Sequence, residues 1–464
     1  MKINIANNEI IHFIGIGGIG MSGLAQIMFN MGFNVQGSDL FKNKNIGRLI
    51  KTGIKSYIGH SKKNIKKATM VVVSSAIKKN NKELVASRKK NLPIFNRGEM
   101  LANIVSLKKN IVVSGSHGKT TTTSLIANII AEAGLDPTVI NGGVINSLKN
   151  TAHLGKGEWA VIESDESDGS FLKLPITYSV VTNLDKEHLD YYKNFENLKK
   201  SFNKFIEKTP SFGKSIVCLD NNNLKNLLKK CRTNNYVTYG FDKKSNYQIL
   251  NVRKNENHAK FDLKVNFSGN QIFRIKNFQI NLLGDHNILN ATASIVIALN
   301  LGIKINLIKR TLNKFLGIQR RFTKIFSIDS KDFYDDYAHH PTEIQALISG
   351  VREVYKKRKI ISVFQPHRYS RVKLLKKEFA SSFKLTDLVV LCPVYAANEK
   401  IDKSFDQNSF SKAITKRSDV QVINIKNESD LKNFIKKNLF DNEMVICMGA
   451  GSISSWIRKI ATEI

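Results

Sequence analysis

The sequence predicts an α/β protein whose parallel sheets carry ligand sites at the carboxyl ends of their strands. Three observations point there. Short apolar runs such as Ile10–Ile14, Met70–Val73 and Ile111–Val113 alternate with segments long enough for helices. Two of those runs lead into glycine-rich turns that open a helix, the arrangement that binds phosphate. The chain has 464 residues, 42% of them hydrophobic, and at about 150 residues per domain that allows roughly three cores.

Taken in order, the first block runs to about residue 107 and holds the strands Ile10–Ile14 and Met70–Val73. From Ile10 to Ser38 no residue is charged, a length that could suggest a membrane span. Gly15, Gly17, Gly18, Gly20 and Gly23 crowd its first half, and no basic leader or small-residue cleavage site accompanies it. Strand, turn and helix are expected instead, with neither signal peptide nor transmembrane helix. The second block, 108–321, opens with the strand Ile111–Val113 and a helix from about Thr120 to Ala133, stopped by Gly134. Strands are expected near Trp159–Ile162 and Tyr178–Val181. Residues 236–239, 247–252 and 261–267 alternate apolar and polar like antiparallel strands, and a helix follows from about Asn287 to Leu301. The third block, 322–464, offers strands at Ile360–Phe364, Leu388–Leu391, Val420–Ile425 and Met444–Cys447.

Composition narrows the function classes. Four dispersed cysteines form no CxxC pair, which argues against a disulfide scaffold or structural zinc and suits a reducing, cytoplasmic setting. The formal net charge of +34 raises a nucleic-acid reading. The lysines are scattered, often beside asparagine, and no aromatic-interleaved basic motif collects them. No nucleic-acid partner is expected; the charge suits a solvated surface that attracts polyanionic substrates.

The strongest chemical signal is Ser114-Gly115-Ser116-His117-Gly118-Lys119-Thr120-Thr121-Thr122, between an apolar strand and a helix. Such a loop brings backbone N–H groups and a positive helix end onto phosphate, with Lys119 at the β/γ-phosphates and the Thr120 hydroxyl toward Mg²⁺. Val113 stands where the general pattern has its first glycine, so this is the shorter GxxGKT form. Two acidic strings, Glu163–Asp168 and Asp185–Asp190 with His188, follow predicted strands and so fall at the same sheet edge. There they could hold Mg²⁺ and position an acyl acceptor. Gly15-Ile16-Gly17-Gly18-Ile19-Gly20, with Asp39 some way on, fits a dinucleotide fingerprint, which keeps an NAD(P)-dependent dehydrogenase open. The same turn serves any diphosphate, including that of a UDP-sugar. A nucleic-acid-dependent ATPase would explain charge and loop but leave the first block without a role. In the third block Arg368 and Arg371, three apart, could grip a carboxylate.

These segments resemble the Mur ligase family. The matching strings include His12–Gly23, Gly115–Thr122, Glu163–Asp168, Asn183–Asp190, Gly284–Ala291, Arg320-Arg321-Phe322, Asp336–Pro341, Gln365–Arg371 and Tyr395-Ala396-Ala397, in order from about residue 10 to about 455. The resemblance implies a Rossmann-like UDP-sugar domain, a central P-loop ATPase domain and a Rossmann-like C-terminal domain that admits an amino acid. It implies that ATP phosphorylates the lactyl carboxylate of UDP-N-acetylmuramate and that L-alanine then attacks; a sibling activity joins a tripeptide instead. By the same resemblance Lys119, Thr120, Glu163 and His188 are catalytic, the last three also on metal. Gly115, Ser116, His117, Gly118, Lys119, Thr120, Thr121, His286, Asn290 and Arg321 would bind ATP. Gly15, Gly17, Gly18, Gly20, Met21, Ser22 and Asp39 would hold the UDP-sugar, and Tyr337, His339, Arg368 and Arg371 the amino acid. ATP and Mg²⁺ are the implied cofactors, and a monomer or homodimer the expected state. Ser116 departs from the family's usual threonine, and Lys199 and Lys200 lie where several relatives carry a carbamylated lysine, which nothing in this sequence indicates.

Overall fold

The computed structural model describes residues 9–145, 150–266, 272–397 and 399–464, and within them the apolar runs become strands of three sheets. The first sheet contains β1 (Ile10–Ile14), β2 (Asn34–Asp39), β3 (Lys55–Ile58), β4 (Met70–Val73) and β5 (Ile94–Asn96). Their order is β3-β2-β1-β4-β5, and every neighbouring pair is parallel. The uncharged stretch is β1, a glycine turn, the helix Ile19–Asn30 and β2. Among the described residues no helix is long and apolar enough to cross a membrane. β1 is buried on both faces, which is why it reads as an apolar run broken only by His12.

The second sheet runs through β6 (Lys109–Ser114), β7 (Thr138–Ile145), β8 (Asn150–His153), β9 (Trp159–Glu163), β10 (Tyr178–Val181), β11 (Ser215–Cys218), β12 (Tyr236–Gly240), β13 (Tyr247–Lys254), β14 (Ala259–Asn266) and β15 (Ile272–Ile280). Its order is β15-β14-β13-β12-β11-β10-β6-β9-β7-β8. β6 lies between β10 and β9, parallel to both, so the loops after all three emerge at one edge. One expectation is corrected here. β12 is parallel to β11 and, over two positions, to β13. β12 is half-buried at its first two residues and buried over the last three, so the apolar–polar alternation of its sequence carries no information on strand direction. The four residues between β13 and β14, closed by Asn255 N–H donating to His258 O at 3.0 Å, can only form an antiparallel hairpin, as expected for that pair.

The third sheet comprises β16 (Thr323–Ile328), β17 (Lys331–Asp336), β18 (Lys359–Phe364), β19 (Leu388–Leu391), β20 (Gln421–Asn424) and β21 (Glu443–Met448), in the order β16-β17-β21-β18-β19-β20. β16 pairs antiparallel and the rest are parallel. The chain forms two compact units: Met1–Val252 with Lys260–Asn281 and Leu289–Leu316, and Arg253–Ala259 with Leu282–Ile288 and Gly317–Ile464. The first two sheets share a unit for visible reasons. Helix Ile19–Asn30 packs on β7 and β8, and helix Arg97–Val105 on the short turn Ser170–Lys173. Arg97 reaches Asp165 at 3.1 Å and Lys173 reaches Glu99 at 2.7 Å.

Under the first sheet lies a polar knot that the sequence did not announce. The Glu83 carboxylate, 0% exposed, accepts from Ser38 Oγ at 2.5 Å, Asn64 Nδ2 at 2.6 Å and Ser61 N at 3.1 Å. His12 and His60 close around it at 3.3 and 3.2 Å. Burial alone would raise its pKa, but the hydrogen bonds from His12, Ser38 and Asn64 win and hold it at about 2.

Candidate active site

The phosphate loop is built from β6 into helix Lys119–Glu132. Gly115 (φ +136°) and Gly118 (φ +79°) take backbone conformations that side chains rarely adopt. Space excludes side chains there too: a Cβ on Gly115 would sit 2.1 Å from Thr182 Oγ1, and one on Gly118 2.5 Å from Asn290 Oδ1. With Gly118 at the N-cap and no side-chain cap, the helix presents open N–H groups and its positive end.

The segment after β10 braces this loop. Asn183 Oδ1 accepts from His117 N at 2.7 Å, Thr182 Oγ1 donates to His117 O at 2.6 Å, and Asp185 N donates to Ser116 Oγ at 2.8 Å. Asp185 also reaches the His117 ring at 3.0 Å. Ser116 thus keeps the hydroxyl that a threonine would supply.

Lys119 Nζ folds back to donate to Gly115 O (2.5 Å) and Ser116 O (3.2 Å), and pairs with Glu166 at 2.8 Å. Burial opposes its charge, but Glu166 more than compensates and the ammonium pKa is raised. Thr120 Oγ1 donates to Glu163 Oε1 at 3.0 Å, and Glu163 Oε2 accepts from Gly142 N at 2.6 Å. Glu166, Glu187 and His188 bring one ligand atom each within 4.8 Å of one another, and Glu166 Oε2 is buried without a hydrogen-bond partner. Carboxylates, an imidazole and a hydroxyl around an unsatisfied buried oxygen suit a hard divalent cation. Burial opposes a charged His188, but the hydrogen bond and charge of Glu166 outweigh it and raise the ring's pKa; a metal would take the neutral ring.

In the first sheet the turn after β1 is braced from within. Asp39 Oδ2 accepts from Gly17 N at 2.8 Å, and Ser38 O accepts from Gly15 N (2.8 Å) and Ile16 N (3.0 Å). A Cβ on Gly17 would lie 2.6 Å from Asn43 Nδ2 and 2.8 Å from Asp39 Oδ2, so glycine permits that approach. Met21 is buried, and Ser22 Oγ donates to Ile19 O at 2.9 Å. A Cβ on Gly20 would meet Arg97 Nη1 at 3.1 Å, which sets that guanidinium beside the turn.

In the second unit the loops after β17, β18, β19 and β21 converge. Tyr337 and His339 meet edge to face at 5.1 Å, His339 and His367 at 5.7 Å, and His367 stacks on Tyr395 at 5.7 Å. Arg371 Nη1 lies 3.4 Å from His367 Nδ1, and the Arg320 and Arg321 guanidinium groups stand over Tyr337. Arg368 has φ +68° and a buried Nε without a partner. Burial, reinforced by His339 and the neighbouring arginines, lowers the His367 pKa to about 3. His286 also belongs to this unit, and burial beside Arg321 holds it at about 4. Arg321 lies 3.8 Å from Glu343.

The structure therefore groups Lys119, Thr120 and Glu163 around the loop, with Asn290 against Gly118 and Thr122. Tyr337, His339 and Arg371 come together around His367. Glu166, Glu187, Asn183, Asp185, Arg97 and Glu343 were not singled out from sequence. Glu166, Glu187, Asn183 and Asp185 lay inside the quoted strings, where spacing alone could not say which carboxylate faces the loop. Arg97 and Glu343 carried no signal.

Comparison with known proteins accounts for all three sheets. Residues 10–109 match the model described as Mur ligase family, catalytic domain; 113–298 match the Mur ligase middle domain; and 320–451 match the Mur ligase, glutamate ligase domain. A UDP-N-acetylmuramate–L-alanine ligase from Pelagibacter ubique (strain HTCC1062) is 56% identical over 99% of both chains. Another, from Brucella anthropi, is 41% identical over 100% of this chain and 98% of its own. Among solved structures, UDP-N-acetylmuramate-alanine ligase from Thermotoga maritima superposes with a TM-score of 0.83 at 28% identity, covering 98% of each chain. A murein peptide ligase from Psychrobacter arcticus shares the fold, with a TM-score of 0.72 at 22% identity over 98% of each chain.

Proposed function

The chain belongs to the Mur ligase family, and from that premise we propose that it uses ATP to join L-alanine to the lactyl carboxylate of UDP-N-acetylmuramate. The products are UDP-N-acetylmuramoyl-L-alanine, ADP and phosphate, in peptidoglycan precursor synthesis. The whole-length likeness to L-alanine ligases, on a chain that builds a braced phosphate loop, carries this reading.

A carboxylate is a poor acyl donor because oxide cannot leave. A carboxylate oxygen attacks the γ-phosphorus of ATP, the bond to ADP breaks, and an acyl phosphate forms. The neutral amine of alanine then attacks the acyl carbon, and the carbon–oxygen bond breaks to release phosphate. We assign residues 1–107 to the UDP-sugar, 108–321 to ATP and 322–464 to the amino acid. The N–H groups of Gly115–Thr121 and the Lys119 ammonium take up phosphate charge as it moves. By the family's pattern, His286, Asn290 and Arg321 would each contact the nucleotide. Gly15, Gly17, Gly18, Gly20, Met21 and Ser22 admit the diphosphate, with Asp39 holding the turn. Arg368 and Arg371 hold the alanine carboxylate and Tyr337 and His339 shape its pocket. Mg²⁺, with Thr120, Glu163 and His188 as ligands, would supply neutralisation of the phosphate oxygens when bound. The soluble substrates fit a cytoplasmic enzyme.

Phosphate release from ATP and Mg²⁺ with UDP-N-acetylmuramate tests the reading, adding L-alanine, glycine, L-serine or tripeptide in turn. Release that requires both the sugar nucleotide and L-alanine supports it. Release with tripeptide alone would assign the sibling activity.

A further inference from the structure

We propose that the outer face of the first sheet's domain docks the protein on an anionic phospholipid bilayer. Between residues 60 and 91 the chain has ten Lys or Arg and one acid, against 72 and 38 overall. That acid is Glu83, which is fully buried in the knot beneath the sheet, so residues 60–91 expose no carboxylate. All ten cations are exposed, and among the described residues none pairs with an acid.

Three groups of cations make one surface. Lys62, Lys63, Lys66 and Lys67 lie on and just after the short turn Lys62–Ile65, which packs against helix Lys82–Lys89. Lys78, Lys79 and Lys82 lead into that helix; Arg88, Lys89 and Lys90 end it. Lys90 Nζ donates to Lys66 O at 3.1 Å and Arg88 Nη1 to Lys79 O at 3.3 Å, so the groups are stitched together through backbone oxygens and keep their charge. The helix turns Leu84 inward, against Ile14 and Val71. Helices Ile19–Asn30 and Arg97–Val105 are the ones that pack toward the second sheet, which leaves the basic face outward.

A field of like charge whose cations pair with no acid among the described residues fits a dense polyanion, since each cation near such a surface adds a screened attraction. The composition favours a bilayer over nucleic acid. Nine of the ten cations are lysines, compact point charges on long stems, and residues 60–91 contain no Phe, Tyr or Trp on which a base could stack.

Flotation of the full chain with vesicles of phosphatidylglycerol and phosphatidylcholine in equal parts, against phosphatidylcholine alone, tests this. We expect binding to the anionic vesicles only, lost as salt approaches ~1 M, where screening falls to about 3 Å. Reversing Lys66, Lys67, Lys89 and Lys90 to Glu should lower binding about tenfold or more, and neutralising them to Gln should lower it less. Reversing Lys412, Lys416, Lys436 and Lys437, exposed in the other unit, changes net charge equally and should leave binding within about twofold. Ligase turnover in solution should be unchanged in both sets, which reports that they fold. Equal binding to both vesicle types, equal loss in both reversed sets, or capture of polyuridylate without vesicle binding would each overturn the proposal.

Discussion

Lys119 holds two roles in one position, and its substitution separates them. It caps two loop carbonyls and neutralises Glu166, a carboxylate buried with one oxygen already unsatisfied. Lys119→Ala should lower kcat by about 10³-fold or more while the dissociation constant for the UDP-sugar stays within about threefold. It should also lower stability by on the order of 2 kcal/mol, because buried Glu166 loses its lysine partner and keeps only His188 at 3.6 Å. Activity, calorimetric titration and thermal melts read these separately; equal loss of turnover and sugar binding would contradict the assignment of residues 1–107. Arg371, beside His367, should behave differently. Arg371→Ala is expected to raise the KM for L-alanine about tenfold or more with little change for ATP, and the reverse pattern would remove it from the amino-acid pocket.

At the scale of elements, the phosphate loop works because its neighbours fix it. Gly118→Ala forces a Cβ into a left-handed backbone position against Asn290, so a loss on the order of 2 kcal/mol and a raised KM for ATP are expected. Unchanged ATP kinetics would mean that the loop adapts more than its bracing suggests. The sequence made this loop legible because glycine, lysine and threonine had to fall at fixed spacing between strand and helix. Strands β1, β4, β10 and β19 were read to the residue, since their buried positions are filled mostly by apolar residues, with His12 and Ser179 the polar exceptions. β12 was misread in direction, because pairing is decided by where the chain returns and not by its side chains. The Glu83 knot was invisible for a related reason. His12, Ser38 and the stretch holding His60 and Asn64 are far apart in sequence, and only the fold brings them to one carboxylate.

For the molecule as a whole, acid should act first through the histidines of the second unit. A His whose folded pKa lies below its ordinary value stabilises above that ordinary value and loses the contribution as pH falls. His367, at about 3 against 6.5, therefore weakens the fold progressively below pH 6.5, by roughly 2 kcal/mol at about pH 5. His286, at about 4, adds in the same direction. Asp336 opposes them: burial raises its carboxyl to about 6, despite Arg321, so its contribution is present below 3.8 and lost as pH rises through 6. The difference between wild type and His367→Gln isolates one term, and the variant should lose less stability than wild type between pH 6.5 and about 5. Parallel pH–stability curves would show that His367 titrates normally.

In the proposed reaction this chain activates a carboxylate by phosphorylating it. The most direct measurement supplies UDP-N-acetylmuramate labelled with heavy oxygen in its lactyl carboxylate, together with ATP, Mg²⁺ and L-alanine, and weighs the released phosphate. One heavy oxygen is expected on each phosphate and the other in the amide product. Phosphate released without label, while the amide still forms, would contradict it.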